Sequence, residues 1–252
     1  MAEKYLRTSD LARAVGIHPN TVRLYADWGL VPPVERSPSG YRLFTRRHLD
    51  CLRLARTVYK TQYPGRGFRA LGNDIIQCAV ADDWTGALEK AHELFQAVRI
   101  ELEFAHQAAD LLEHWAQTMD SVPDPSNEPL AIGEVSKLLG VSLDVIRNWE
   151  RNGLISIPRN SFNNYRLFGK REIERMQIIR MLSKAGYSHM AMLRMFLELD
   201  KGNTRNLKKT LDTPRPDEDI FSASDRWLTT LQEQEKLARR VIQVIEEKIT
   251  SR

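Results

Sequence analysis

Residues 6–49 read LRTSDLARAVGIHPNTVRLYADWGLVPPVERSPSGYRLFTRRHL, and they return without a gap as residues 130–173, which read LAIGEVSKLLGVSLDVIRNWERNGLISIPRNSFNNYRLFGKREI. The offset between the two stretches is 124 residues. The longest identical block is Tyr41-Arg42-Leu43-Phe44, which recurs as Tyr165-Arg166-Leu167-Phe168. Agreement of this kind is typical of two copies of one domain.

Each copy predicts two short helices joined by a tight turn. In the first copy, one helix ends at Gly16 and the next runs from about Pro19 to Trp28. In the second copy, Gly140 ends the first helix and Ser142 caps the second. Glycine ends helices because it tolerates the left-handed backbone conformation, and serine caps them by accepting a backbone hydrogen bond. The pattern indicates a helix-turn-helix, whose second helix can enter a DNA major groove.

A β-hairpin is predicted after each helix pair. In the first copy, Leu30 and Val31 predict a strand, residues 37–40 a turn, and residues 41–44 the returning strand. Asn163 and Asn164 take the turn in the second copy. Such a wing would present a tyrosine hydroxyl and an arginine guanidinium to the sugar-phosphate backbone of DNA.

The net charge of +4 hides a strong segregation of charge along the 252 residues. Residues 1–66 carry 12 Lys and Arg against five Asp and Glu, and residues 130–211 carry 15 against seven. The blocks between and after them are acidic, with three against 12 over 67–129 and seven against nine over 212–252. Two basic domains are the electrostatic pattern expected of a protein that binds a polyanion.

The order of helix, turn, helix and wing resembles the DNA-binding domain of the MerR family of bacterial transcription regulators. The first copy carries the resemblance in Thr21-Val22-Arg23-Leu24-Tyr25, Gly29-Leu30, Arg36 and Gly40-Tyr41-Arg42-Leu43-Phe44. The second carries it in Arg147, Trp149-Glu150, Gly153-Leu154, Pro158-Arg159 and residues 165–168. The chain departs from the family pattern at Leu24 (usually Tyr), Ala26 (usually Glu), Val145 (usually Thr) and Asn164 (usually Gly). Two such winged helix-turn-helix domains, called heads below, are not the usual arrangement of the family within one chain. The departures from the family pattern predict that the two heads read different DNA sequences.

The resemblance also implies a long helix after each head, and the sequence supports one. We expect a mainly α protein: a winged helix-turn-helix domain at 1–83, a long helix at 84–120, a linker at 121–129, a second winged domain at 130–211, and a short linker with a C-terminal long helix at 212–252. Coiled-coil spacing of three and four residues predicts the buried seam of each long helix. The first seam comprises Leu88, Ala91, Phe95, Val98, Leu102, Ala105, Ala109, Leu112, Ala116 and Met119, and the second comprises Trp227, Leu231, Gln234, Ala238, Val241, Ile245 and Lys248.

Three arrangements of the long helices stay open from the sequence. One chain can fold back so that its two helices pair antiparallel, giving a monomeric pseudo-dimer with two unlike heads. Two chains can instead form a homodimer with four heads, or each helix can pack on its own head. The two seams differ in length and polarity, which favours the pairing of unlike helices.

The candidate DNA-binding residues divide into base readers and phosphate contacts. Base readers are predicted on the second helix of each pair: Thr21, Arg23, Tyr25, Arg147, Asn148 and Trp149. Arginine matches the guanine edge and asparagine matches adenine. Phosphate contacts are predicted at Arg36, Tyr41, Arg42, Arg46, Arg159, Tyr165, Arg166, Lys170 and Arg171. Tyr25 and Trp149 share a position that suits core packing equally well, and any one of the arginines can instead be a solvated surface residue.

Several function classes are disfavoured by what the sequence contains. It lacks the short motifs of P-loop nucleotide-binding enzymes, serine hydrolases and zinc proteases, so we expect neither catalysis nor a cofactor. Metal-sensing members of the resembled family use cysteines near the long helix, whereas Cys51 and Cys78 stand apart from any ligand cluster, so no metal site is expected. Neither a membrane-spanning run nor a secretory signal is evident, which predicts a cytoplasmic protein without a membrane partner.

Double-stranded DNA is therefore the predicted partner, and the resemblance adds RNA polymerase. It implies regulation of transcription by bending and untwisting promoter DNA so that polymerase can engage. An architectural or recombination accessory protein would use the same heads and stays an alternative. A regulator that responds to a small molecule or drug is another, because an aromatic pocket could form from Trp84, Trp115, Tyr187 and Trp227, although core packing explains these residues better.

Overall fold

A computed structural model describes residues 5–60, 66–118, 129–216 and 223–251, and its architecture is mainly α, which confirms the predicted fold class. Most of the predicted linker at 121–129 and seam residue Met119 lie outside the described residues. Within those ranges, no helix has both the length and the apolar character needed to cross a membrane.

The first head, residues 5–83, contains two helix pairs with a short hairpin between them. Its elements are α1 (Thr8–Val15), α2 (Pro19–Asp27), β1 (Glu35–Arg36), β2 (Arg42–Leu43), α3 (Arg46–Val58) and α4 (Arg66–Val80). Helix α1 ends because Gly16 adopts a φ of +65°, a conformation that costs glycine little. The predicted helix-turn-helix is therefore present as α1 and α2.

The hairpin of the first head is shorter and begins later than the sequence predicted. Strands β1 and β2 are antiparallel, with Arg36 opposite Arg42. The prediction of a strand at Leu30 and Val31 is wrong, since both side chains are buried (8% and 3% exposed) and neither residue belongs to a strand. Their apolar character serves the core beneath the wing.

The second head, residues 129–212, repeats this order. Its helices are α6 (Ile132–Leu139), α7 (Leu143–Arg151), α8 (Lys170–Lys184), α9 (His189–Asp200) and α10 (Leu207–Asp212). Its wing is reduced to a single bridge between Arg159 and Arg166. The two copies share a core position at Phe44 and Phe168, which are both fully buried, and each phenylalanine pairs with the leucine that opens its copy, Leu6 or Leu130.

Two long helices complete the described chain: α5 (Trp84–Thr118), and α11 (Trp227–Thr250), which follows a 3-10 turn at Ala223–Arg226. The predicted seams supply most of their buried faces. The seam residues exposed by 3% or less are Ala91, Val98, Ala105, Ala109, Leu112 and Ala116 on α5 and Leu231, Gln234, Ala238, Val241 and Ile245 on α11. The predicted seam residues Leu88, Phe95 and Leu102 are only half-buried, and Ala87 and Leu94 are buried in the first half of α5 instead.

The chain divides into two compact units, and unit 1 comprises residues 1–100 with 231–252. Within unit 1, the Arg239 guanidinium lies 4.6 Å from the Phe95 ring centre, and the Lys248 ammonium lies 5.8 Å from the Trp84 ring. A later position on α11 thus meets an earlier one on α5. The two helices of unit 1 are therefore antiparallel.

An ion pair joins the last turns of α11 to the first head. Lys248 Nζ donates to Asp50 Oδ2 on α3 at 2.7 Å, and Arg46 Nε lies 3.5 Å from the other carboxylate oxygen. The Asp50 side chain is only 10% exposed, so both cations compensate a carboxylate that is largely removed from water.

Unit 2 comprises residues 101–230, and in it the second head is fastened to the later half of α5. The Tyr187 hydroxyl donates to the Ala105 carbonyl at 2.9 Å, and Lys208 Nζ donates to Asp110 at 2.7 Å. The Trp227 indole donates to the Ala185 carbonyl at 2.6 Å and packs over Gly186, where a Cβ would lie 2.6 Å from the ring. Each head thus has its own attachment to a long helix.

Candidate DNA-binding surfaces

Helix α2 presents the candidate base readers of the first head. Its first turn is capped by His18, whose Nδ1 accepts a hydrogen bond from the Asn20 backbone at 3.2 Å. Arg23 is exposed, and its Nη1 donates to Asn20 Oδ1 at 3.2 Å. Thr21 is half-buried beside it. The guanidinium of Arg23 is therefore accessible and held by the side chain three positions earlier.

Helix α7 repeats this arrangement in the second head. Ser142 caps it as predicted, accepting a hydrogen bond from the Val145 backbone at 3.3 Å. Arg147 is exposed, and its Nη1 donates to Asp144 Oδ1 at 3.1 Å. Asn148 is half-buried, and its side-chain oxygen accepts from Asn152 Nδ2 at 3.0 Å. An oriented arginine thus stands at the same position of both helices.

The aromatic residues on these two helices differ in accessibility. Trp149 is only 3% exposed and lies in the core of the second head, so the packing interpretation fits it. Tyr25 is half-buried and stacks on Trp28, with ring centres 6.2 Å apart. Trp28 itself is 61% exposed, an accessible aromatic residue that the sequence reasoning did not select.

The first wing is braced by two arginines. Arg36 Nη1 donates to the carbonyl of Gly40, the turn residue with φ of +84°. Arg42 Nη2 lies 3.0 Å from Asp27 Oδ1 at the end of α2, and its side chain is 23% exposed. Tyr41 projects from the wing and is 74% exposed. Arg42 therefore ties the wing to the second helix of the pair.

The second wing uses the same bracing with different residues. Arg159 Nη1 donates to the carbonyl of Asn164, whose φ is +58°. Arg166 donates from Nε and Nη2 to one oxygen of Glu150 on α7, at 2.9 and 2.8 Å. Tyr165 is 72% exposed. A carboxylate on the second helix thus holds the wing arginine in each head.

These ion pairs refine the predicted phosphate contacts. Arg42 and Arg166 pair with carboxylates at 3.0 Å or less and are only 23% and 29% exposed, so their geometry suits positioning of the wing more than capture of a phosphate. Arg46 and Arg159 also lie near carboxylates, at 3.5 and 3.7 Å, but are 72% and 42% exposed. Exposed side chains from the predicted set that face solvent are Arg36, Tyr41, Arg46, Arg159, Tyr165, Lys170 and Arg171. Asp27 and Glu150 were missed as wing anchors. Glu150 carried a signal, because it is the glutamate that the resembled family pattern expects at that position.

Two of the four aromatic residues suggested for a ligand pocket line a cavity within their own unit: Trp84 lines one of about 500 Å³ in unit 1, and Trp115 lines one in unit 2. Trp84, Tyr187 and Trp227 are 2–6% exposed, and each donates a hydrogen bond inside the fold, which fits core packing. Trp115 is half-buried and lines a cavity of about 490 Å³ in unit 2, together with Arg171, Arg175 and Asp200 among others. Its indole nitrogen is buried without a partner in the described part of the chain.

The two cysteines are poor candidates for thiolate chemistry. Burial raises the pKa of the Cys51 thiol to about 12, and its Sγ donates to the Ala79 carbonyl at 3.5 Å. Burial, with Asp83 nearby, also raises the pKa of Cys78. Because both pKa values are raised, both thiols stay protonated near neutral pH. The thiolate is the form that binds soft metals, so neither cysteine is suited to hold one. Among residues 5–60, 66–118, 129–216 and 223–251, no three His, Cys, Asp or Glu side chains are grouped to hold a metal ion.

Comparison with known proteins assigns both heads to one group. The model of the MerR HTH family regulatory protein matches residues 6–64 and 130–198. The chain is 41% identical over 51 residues to the HTH-type transcriptional regulator CueR of Escherichia coli O157:H7, which covers 20% of this chain and 38% of that protein. It is 34% identical over 79 residues to a probable heavy metal-dependent transcriptional regulator of Haemophilus influenzae, covering 31% and 62%.

A third relative is the mercuric resistance operon regulatory protein of Serratia marcescens, 29% identical over 75 residues, or 30% of this chain and 51% of that protein. The chain spans about two fifths of the length of the first of these curated relatives. No solved structure matches. The similarity to these three relatives thus covers a third or less of this chain and between 38% and 62% of each relative.

Proposed function

Because this chain belongs to the family of MerR helix-turn-helix regulatory proteins, we propose that it regulates transcription by binding double-stranded DNA at specific sequences. The observation that carries the proposal is the recurrence of an exposed arginine, Arg23 and Arg147, held by a side chain three positions earlier on each second helix. An accessible, oriented guanidinium fits the O6 and N7 acceptors of guanine in the major groove.

The two heads would read different half-sites. One position after the shared arginine, the first head carries Leu24, which is 42% exposed, and the second carries Asn148. An apolar side chain suits the thymine methyl group, whereas an amide suits the N6 and N7 edge of adenine. The operator would therefore be asymmetric.

We further propose that one chain supplies both heads as a monomeric pseudo-dimer. Support comes from the antiparallel contacts between α5 and α11 in unit 1 and from the pair between Lys248 and Asp50. The attachment of Tyr187 to the Ala105 carbonyl in unit 2 supports it as well. With both long helices supplied by one chain, a second chain is not needed to hold two heads together.

At a promoter, the two heads would grip the DNA on either side of the spacer. Bending or untwisting that spacer would bring the promoter elements into a register that RNA polymerase can use. Smooth bending of a site of 20–30 base pairs by 40–90° costs about 1–6 kcal/mol, which several phosphate and base contacts can offset. We propose that this regulation takes place in the cytoplasm.

Mapping the bound genomic fragments tests this function. We expect the fragments to share two unlike half-sites and to centre on promoter spacers, because a regulator of this kind acts there. Fragments recovered with a heat-unfolded sample of the protein serve as the control. Enrichment at recombination attachment sites would instead identify an architectural protein, and a palindromic site would contradict the asymmetric operator.

The salt dependence of binding tests the phosphate contacts. Replacing both Arg36 and Lys170 by alanine is expected to flatten the slope of log affinity against log salt by about two, since each phosphate contact contributes roughly one. Lys236→Ala, an exposed charge on α11, is the matched control and leaves the slope unchanged. A double variant with the wild-type slope would show that these two side chains do not contact phosphates.

Arg42→Ala with Arg166→Ala is expected to weaken binding with a smaller change in slope, because both arginines already pair with carboxylates.

A further inference from the structure

The tip of the second wing carries a phenylalanine that nothing in the fold covers. Phe162 is 97% exposed, the highest value among the large apolar side chains of the described residues. Water hydrates an aromatic ring poorly, so a side chain left this exposed gains free energy from any apolar environment that can accept it. The packing of the second head does not account for a phenylalanine at this position.

The turn that presents Phe162 is held by asparagine side chains. Asn160 Oδ1 accepts hydrogen bonds from the backbone of Phe162 at 2.8 Å and of Asn163 at 3.4 Å. Asn163 Oδ1 accepts from the Tyr165 backbone at 3.0 Å, and Asn164 occupies the left-handed region. The backbone of the tip is therefore fixed before any partner binds, and fixing it in advance lowers the entropy lost on binding.

The side chains next to this tip suit a nucleic-acid backbone. Arg159 carries its guanidinium at the base of the turn, 3.7 Å from a carboxylate oxygen of Glu150 and with 42% of its side chain exposed. The Tyr165 hydroxyl lies on a side chain that is 72% exposed. The surrounding stretch, residues 130–211, carries 15 Lys and Arg against seven Asp and Glu. An apolar tip flanked by a cation and a hydroxyl matches the surface of DNA, where a stack of bases lies between two rows of phosphates.

We propose that Phe162 is a wedge that enters the minor groove and inserts between two base pairs in the half-site of the second head. Apolar side chains that enter a base step in this way unstack it partly and kink the duplex toward the major groove. The wing already lies beside the second helix of the pair, so the insertion would act on the same half-site as Arg147. The inference rests on the proposed binding of double-stranded DNA.

The first wing places a different residue at this point. Pro38 corresponds to Phe162 at the offset of 124 residues, in the turn Ser37-Pro38-Ser39-Gly40. Proline has a smaller ring that is not aromatic, so it stacks less well against bases. The kink should therefore occur in the second half-site alone. The two half-sites would then differ in DNA bending as well as in the residues that read their bases.

The test uses 2-aminopurine, a base analogue whose fluorescence rises when it is unstacked, placed in turn at each step of a selected duplex. The full-length protein is expected to raise the fluorescence at one step of the second half-site. Phe162→Ala is expected to abolish that rise and to weaken binding about tenfold, the size of a lost aromatic–base stack. Phe162→Trp should retain the rise, and Pro38→Ala should leave it unchanged.

Since Phe162 is almost fully exposed, its alanine variant is expected to melt at the wild-type temperature, which separates a lost contact from misfolding. A duplex that is bound tightly with no unstacked step, or a Phe162→Ala variant that unstacks it as the wild type does, overturns the wedge and leaves the proposed function intact. Failure to bind any duplex overturns the proposed function and the wedge with it.

Discussion

Replacing Arg147 by alanine is expected to weaken binding to the selected operator by about 1–3 kcal/mol, or about 5- to 150-fold, and to relax specificity in the second half-site only. The guanidinium is exposed and is held 3.1 Å from Asp144, so little conformational freedom is lost when it pairs with guanine. Arg23→Ala should produce the mirror effect in the first half-site, because Asn20 holds that side chain in the same way.

The measurement is a competition titration against duplexes in which one base pair at a time is changed. Each arginine variant should lose discrimination at one guanine position and keep it elsewhere. Arg240→Ala removes a charge of the same kind from an exposed position on α11 and should leave the specificity profile unchanged. If Arg147→Ala weakened binding equally to every duplex, the residue would be a phosphate contact and the assignment of base reading would fail.

The repeat made the local structure of both heads predictable from sequence. Glycine and serine at the helix ends are local signals, and the offset of 124 residues shows that they recur in the second copy. The helices of each helix-turn-helix begin and end within a residue or two of the expected places. The seams of α5 and α11 were predictable only in part. Coiled-coil spacing is local, but Leu88 and Phe95 are half-buried, and the residues one position earlier, Ala87 and Leu94, are buried in their place. The wing was less so, because Leu30 and Val31 resemble a strand in sequence while their burial is decided by tertiary packing.

The contacts that define the candidate site depend on residues far apart in the sequence. Arg42 was expected at a phosphate, but Asp27, 15 residues earlier, engages it. The resembled family usually has a glutamate at the position directly before Asp27, where this chain has Ala26. The carboxylate that pairs with Arg42 therefore lies one residue later than the family pattern predicts. The pair between Asp50 and Lys248 joins positions 198 residues apart, and nothing local in the sequence indicates it.

The thermal midpoint of the wild-type chain is expected to be independent of protein concentration over a hundredfold range. In a pseudo-dimer, α5 and α11 are parts of one chain, so unfolding releases no second molecule. In a homodimer held by its long helices, mass action would raise the midpoint with concentration. Light scattering of the free protein should accordingly give a mass near 29.1 kDa, the mass of one chain. A value near twice that, with a midpoint that rises with concentration, would replace the pseudo-dimer by a homodimer.

The substitution Val241→Asp tests in a second way whether α5 and α11 pair within one chain. Val241 is fully buried on the seam of α11 within unit 1, so an aspartate there would bury an unpaired carboxylate and cost about 3–5 kcal/mol of folding free energy. Gln243→Asp, on an exposed position of the same helix, is the control and should change stability by less than about 0.5 kcal/mol. Because the damaged seam helps to hold α11 against the first head through Lys248 and Asp50, the variant should also lose tight operator binding while remaining a single chain in solution. A variant that dissociated from a dimer into folded monomers, with each head still binding its half-site, would show that the seam joins two chains.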